Sequence, residues 1–274
     1  MQRLTTLAIA LFCLALGSAS ARADTRTDQR LEDARRVFES FTFLSEQSIP
    51  GWLLDRAYGV IVVPRVIKGA LIIGGRGGQG VMAVRNPDGS WSNPVFVTLA
   101  GANIGLQWGV QSTELVLVLM SRQSVEGVAG GKFTLGADAS VAAGPIGRSA
   151  SAATDVTFKA QVLSYSRNEG IFAGVALDGT VISVDNGANA SAYGMSGVLA
   201  SQILDGSVGS APAGATAFTA SLNKATSGAT APPPAGQTPV AEEPSRDAAP
   251  ATEPQDGATT YPMEDPEPGA PPPP

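Results

Sequence analysis

The chain has 274 residues and a formal net charge of −6, with no histidine and a single cysteine, Cys13. Beyond the first 23 residues neither residue type is left. This excludes Ser-His-Asp and Cys-His catalysis, imidazole or thiolate zinc sites and any disulfide within the remainder. The acidity is local: Ala225 to Pro274 hold 14 of the 20 prolines and eight acids against one base, Arg246, which leaves a 201-residue segment, Asp24 to Lys224, with 15 bases and 16 acids.

Three regions follow. Residues 1–23 read as a signal peptide: Arg3 opens it, Leu4 to Leu16 form an apolar run too short to span a bilayer, and Ala21-Arg22-Ala23 is an A-x-A cleavage site. Cleavage after Ala21 is the alternative. The leader predicts export, to a bacterial periplasm or beyond, with peripheral membrane association of the mature chain. Residues 24–224 are expected to fold as one domain. Residues 225–274 form a Pro-rich acidic tail, expected to be disordered because it cannot bury enough apolar surface to offset its ordering entropy.

Within the domain, Thr27 to Glu46 has helical spacing. Leu31, Ala34, Val37, Phe38, Phe41 and Leu44 share one face; Arg30, Glu32, Asp33, Arg35, Arg36 and Glu39 share the other. Two roles are open to the apolar face. It can complete a core, or Phe38, Phe41 and Leu44 can insert at a membrane interface with arginines near the headgroups. Trp52 to Ala57 predicts a second, short helix.

From Gly59 onward the pattern is β. Gly59 to Val63, Ala70 to Ile73, Val81 to Arg85 and Pro94 to Thr98 read as strands, with Asn86-Pro87-Asp88-Gly89 as a turn. Glu114 to Met120 is the most apolar strand. Ser121 or Ser124 caps a short helix before Ala129. Strands are also expected over Phe133 to Ala143, Lys159 to Ser166, Ile171 to Leu177 and Thr180 to Val184. Ser191 to Leu204 and Ala215 to Leu222 are helical. The class is α+β: a curled, largely antiparallel, Gly-rich or barrel-like sheet with helices at both ends. Its 27 glycines, well above the roughly 7% average, fit strong curvature or a surface where backbone meets ligand.

Gly75-Arg76-Gly77-Gly78-Gln79-Gly80 matches the dinucleotide fingerprint literally. That motif needs a following helix to hold a pyrophosphate, and here a strand follows, so a glycine turn between strands is expected. The carboxylates Asp138, Asp155, Asp178 and Asp185 are dispersed among turns, with no pair placed on one face. No catalytic residue, cofactor or metal site is expected. Nucleic acid is disfavoured by export and the near-neutral domain charge.

The basic run is more informative. Arg56, Arg65, Lys68, Arg76 and Arg85 fall within thirty residues that contain no acid. They form either a scattered solvated face or, gathered by the sheet, a site for phosphate headgroups.

Several blocks together resemble a known family. Ile49-Pro50 with Ala57 to Val62, Gly69 to Gly80, Pro87 to Ser92, Gly105 to Gly109 and Glu114 to Leu119 come first. Thr134 to Ala152, Ser164-Tyr165-Ser166 and Gly170 to Thr180 follow in order. This pattern is similar to the SYLF domain, a lipid-binding module of actin-associated proteins that also occurs in exported bacterial proteins. The resemblance implies a non-enzymatic module that binds phospholipid through basic residues and an N-terminal amphipathic segment. Arg76 and Arg148 sit in family blocks. Arg56, Arg65, Lys68, Arg76 and Arg148 are therefore the expected lipid contacts. The expected partner is an anionic phospholipid or membrane surface, not actin, with an envelope protein as a second partner through the tail.

Overall fold

In the computed structural model the structure describes residues 25–43, 48–70, 73–104, 109–146, 159–168, 171–172 and 177–227. Helix α1 (25–42) leads into α2 (Gly51–Asp55). Four long strands follow: β1 (Gly59–Ala70), β2 (Ile73–Val84), β3 (Val95–Ile104) and β4 (Gly109–Leu119). Helix α3 (Arg122–Ala129) precedes the short strands β5 (Lys132–Thr134), β6 (Val141–Ala143), β7 (Val162–Asn168), β8 (Ile171–Phe172) and β9 (Val181–Val184). Helices α4 (Asn186–Ala192), α5 (Ala200–Leu204) and α6 (Ala215–Ser227) end the described chain.

The strands form one curled sheet in the order β5-β9-β3-β2-β1-β4-β7-β6, with β8 paired to β7. All pairings are antiparallel except β6 with β7. The α+β class with helices at both ends is thus the observed one.

The central strand holds the informative departure. The sequence splits at Pro64, yet β1 runs straight through it. Proline cannot donate to a ladder and enters a central strand only at a bulge. A bulge is what is found. Between Val62 and Arg65 the register to β2 moves from Val81 to Gln79, so β1 carries one extra residue there; between Val63 and Val66 the same shift occurs against β4. The bulge pushes β1 into β2. A Cβ on Gly80 would lie 2.3 Å from the Val62 carbonyl oxygen, and one on Gly78 would lie 2.7 Å from Val63 Cγ1. The glycine run is therefore not a turn between strands, as its motif suggested. It lies inside β2, where two of its members leave room for the bulge.

The bulge also divides the sheet. Val60 to Val63, Val81 to Ala83, Val95 to Val97 and Leu115 to Leu119 are buried at every position, so the sheet end near Gly59 is covered on both faces. Beyond the bulge only alternate residues are covered: Arg65 and Ile67 are exposed while Val66 is buried.

Helix α1 packs on one face of this sheet. Its Leu31, Ala34, Phe38 and Phe41 are all fully buried. At about 1.5–3 kcal/mol for each large apolar side chain, this stripe is a substantial part of the domain's stability. Phe38 and Phe41 are thus core residues here. They can meet a membrane only if α1 leaves the sheet. Leu44 lies outside the described residues.

Other boundaries shift for local reasons. Ser121 caps α3 through its hydroxyl, which accepts from the Ser124 amide. The helix expected over Ser191 to Leu204 is two helices, because Gly194 and Gly197 adopt φ values of 62° and 73° and break it. Helix α6 continues to Ser227, so the fold runs past the compositional boundary at Lys224.

Candidate functional site

The predicted bases do not form one patch. Arg56 sits at the C-cap of α2 and is exposed. Arg85 lies at the same end of the sheet and is turned inward. Its Nε and Nη2 donate to the carbonyls of Ala57 (3.3 Å) and Leu54 (3.0 Å), and its Nη1 donates to the Gly89 carbonyl (3.1 Å). Its guanidinium also stacks 4.7 Å from the centre of the Trp91 ring. Burial pulls its pKa below the ordinary arginine value, with Asp55 opposing. Arg85 is therefore a staple between α2 and the β2–β3 turn.

Lys68 and Arg76 lie at the other end of β1, roughly 30 Å away at the usual strand rise. They are direct partners across the β1–β2 ladder. Such opposed side chains sit about 5 Å apart, and like charges there repel. Burial lowers the Lys68 pKa, and the Arg76 charge lowers it further. Burial also lowers that of Arg76, with Asp178 opposing. The rung extends onto β3, where Gly101 faces Arg76. A Cβ at Gly101 would stand 2.9 Å from Arg76 Nε and 3.1 Å from Thr180 Oγ1. The missing side chain lets Arg76 lie across β3 towards Thr180 and Asp178. Thr180 Oγ1 is buried without a hydrogen-bond partner among the described residues. Lys68 and Arg76 thus form a cationic pair, with Thr180 Oγ1 close to Arg76.

Arg65 falls on the opposite face, because alternation along β1 separates Arg65 and Ile67 from Val66 and Lys68. With Ile67 and Gln79 it lines a groove of about 990 Å³ between the sheet and α1. Most charges in this groove are already paired. Arg30 Nη1 donates to Asp185 Oδ2 at 2.9 Å, while Asp185 Oδ1 caps α4 by accepting from the Ala188 amide. Arg167 donates to Glu114 Oε2 and to Ser40 Oγ, tying β7, β4 and α1 together. Of the helix arginines placed near headgroups by the sequence, Arg35 is paired with Glu32 and Glu39, and Arg36 with Asp33.

Arg148 and Asp155 lie outside the described residues. Asp138 accepts from the Thr134 amide, and Asp185 holds Arg30 and its helix, so both are structural carboxylates. Lys68 and Arg76 stand symmetrically about position 72. That symmetry is visible in the sequence but has meaning only once β1 and β2 are known to pair. Arg167 had no such signal, since its partners Glu114 and Ser40 are distant in sequence.

The curled sheet thus carries a cationic rung, and Asp138 and Asp185 are engaged in holding the structure. Residues 100–225 match a family model described as "Ysc84: Las17-binding protein actin regulator". Protein YSC84 of Saccharomyces cerevisiae is 38% identical over 169 residues, covering 59% of this chain and 36% of that protein. The LAS seventeen-binding protein 3 of the same yeast is 36% identical over 188 residues, 66% of this chain and 40% of that protein. The SH3 domain-containing YSC84-like protein 1 of Xenopus laevis is 32% identical over 181 residues, 64% of this chain and 54% of that protein. The family-model match and these relatives agree with the SYLF resemblance carried by the sequence blocks. The chain spans between about a third and a half of the length of these relatives.

Proposed function

We propose that the domain is a non-enzymatic module that binds anionic phospholipid headgroups, with Lys68 and Arg76 as the first phosphate contacts. The observation that carries this reading is the Lys68–Arg76 rung: two partly buried cations face one another across the ladder, and Asp178 acts on Arg76. A phosphate placed between them replaces repulsion with two charge-assisted hydrogen bonds. The leader read over residues 1–23 supports an exported protein held peripherally at a membrane. In that setting actin is not the natural partner, although the relatives' names concern actin regulation and Las17 binding.

Co-sedimentation with vesicles tests the reading. The chain should pellet with phosphatidylcholine vesicles containing phosphatidylglycerol, and much less with phosphatidylcholine alone. Lys68→Glu with Arg76→Glu should abolish the difference. Equal pelleting on both compositions, or an unaffected double variant, rejects it.

A second reading is an interaction protein of the cell envelope, supported by the concentration of prolines and acids in Ala225 to Pro274. Removing residues 228–274 should release partner proteins from a pull-down while vesicle binding persists. Retained partners reject this role for the tail.

A further inference from the structure

We infer that the groove between α1 and the sheet is a second binding site, for a ligand that carries a dianionic phosphate group, with Arg26 and Arg65 as its charge partners and Gly77 as its open floor. The site lies on the face opposite the Lys68–Arg76 rung and stands or falls independently of it. The charges of the groove do not balance. Five arginines and three carboxylates line it. Each carboxylate is already held by an arginine: Asp185 by Arg30, Glu114 by Arg167 and Asp33 by Arg36. Arg26 and Arg65 are both exposed, and neither has a hydrogen bond or ion pair among the described residues. The groove therefore holds an excess of two positive charges on two guanidiniums. A phosphate monoester brings roughly two negative charges near pH 7. Its oxygens also match the donor fork of a guanidinium.

The floor is open without a packing cause. Gly77 faces Ile67 across the β1–β2 ladder and, like Arg65, Ile67 and Gln79, lies on the α1 side. A Cβ on Gly78 or Gly80 would strike the bulge. One on Gly77 would meet nothing nearer than the Leu99 carbonyl oxygen at 3.8 Å, an ordinary contact. Nor does Gly77 have a positive φ that would call for glycine. Glycine inside a strand weakens it, and is found where another group must come close. What the missing side chain leaves at Gly77 is the groove itself, about 990 Å³, the size of a small-molecule site. Val37, Pro64 and Ile67 add apolar lining for the part of the ligand that bears the phosphate. The pair Arg30–Asp185 ties α1 to the start of α4, and Arg167 ties β7 to β4 and α1. The groove is thus formed before any ligand enters.

Titration calorimetry of the full chain with glycerol 3-phosphate tests the site, because this probe offers the phosphate monoester free in solution. It should bind, and binding should weaken by about tenfold or more in Arg26→Gln with Arg65→Gln, since hydrogen bonds to charged groups are lost. Gly77→Val should weaken binding similarly by filling the floor. Its denaturant midpoint should hold or rise, since valine suits a strand better than glycine. Lys68→Glu with Arg76→Glu should leave glycerol 3-phosphate binding unchanged. Phosphatidylcholine vesicles containing phosphatidic acid offer the same group on a lipid and separate the two sources. Reduced pelleting of the Arg26/Arg65 variant means that the groove takes its phosphate from a lipid. Unchanged pelleting with lost glycerol 3-phosphate binding means a soluble ligand. Failure of glycerol 3-phosphate to bind, or equal binding by the groove variants and the unaltered chain, overturns the site. Loss only in the Lys68/Arg76 variant overturns it as well and leaves the lipid-binding reading standing. A lowered midpoint in Gly77→Val gives that glycine a packing role and overturns its part in the site.

Discussion

Lys68 and Arg76 face each other on one rung of the β1–β2 ladder. The pair makes stability and binding separable. Lys68→Glu turns a repulsive rung into an attractive one. Opposite charges across a ladder contribute roughly 0.2–1 kcal/mol, and the lower part of that range applies to groups as exposed as these. The urea midpoint should hold or rise slightly while vesicle binding falls. A variant that loses both stability and binding would mean that Lys68 is needed for the fold.

The same rung predicts a pH dependence. Burial and then the Arg76 charge hold Lys68 below its ordinary pKa of 10.5. Folded Lys68 therefore releases its proton before unfolded Lys68 does. Between the two values the unfolded chain binds more protons, so this group's contribution to stability rises with pH across that window. Headgroup binding runs the other way, because it needs the ammonium form. Pelleting with phosphatidylglycerol vesicles should weaken as pH climbs towards 10.5, and Lys68→Arg should remove most of that decline. Parallel profiles for the two proteins would show that Lys68 is not a contact.

Gly80 and Gly78 should be intolerant of any side chain, and Gly75 tolerant. A methyl at Gly80 meets the Val62 backbone, which cannot swing aside as a side chain does; at Gly75 nothing lies within 4 Å. Gly80→Ala should cost about 1–3 kcal/mol through overpacking. Gly75→Ala should be neutral or slightly stabilising, since alanine restricts the unfolded chain more than glycine. Denaturant midpoints of the three alanine variants check the order. Equal losses at 75 and 80 would detach the glycine run from the bulge.

This glycine run marks the limit of what the sequence makes legible. The long strands near Gly59 and Glu114, the Asn86–Gly89 turn, a serine cap at Ser121 or Ser124 and the α1 stripe from Leu31 to Phe41 follow from local spacing and are present, whereas the strand expected over Phe133 to Ala143 is two short ones, β5 and β6. The bulge is different. Pro64 signals a break, and whether the strand ends or bulges depends on whether β2 can yield space, which only the approach of Val62 and Val63 to Gly78 and Gly80 decides. The basic run failed to gather for a related reason. Five bases free of acids are visible in the chain, but alternation after an inserted residue sends Arg65 and Lys68 to opposite faces. Arg85 is withdrawn by carbonyls of Leu54 and Ala57, which sequence alone does not bring near it.

The two roles considered for α1 give opposite readouts. Phe41 is fully buried, and the Arg167 guanidinium lies 4.8 Å from the centre of its ring. Phe41→Ala should cost about 3–5 kcal/mol by leaving a cavity, a large share of the 5–15 kcal/mol available to a typical domain. Thermal melting should show a pronounced fall in Tm. A preserved Tm with lost vesicle binding would instead assign Phe41 to the membrane.

Arg85 provides the control for charge itself. It belongs to the same acid-free stretch as Lys68 and Arg76, yet its guanidinium donates to three backbone carbonyls and lies over Trp91. Arg85→Ala strands those acceptors. The loss of a charged donor to part-buried carbonyls costs about 1–3 kcal/mol, and the stacking on Trp91 is lost with it. Arg56→Glu removes an exposed charge at the same sheet end and should cost less than about 0.5 kcal/mol. If headgroups are met at the far end, Arg85→Ala lowers the denaturant midpoint without changing the binding of the folded fraction. Arg56→Glu should then change neither. Loss of vesicle binding in a fully folded Arg56→Glu protein would show that the lipid surface lies at the wrong end for Lys68 and Arg76 to share it.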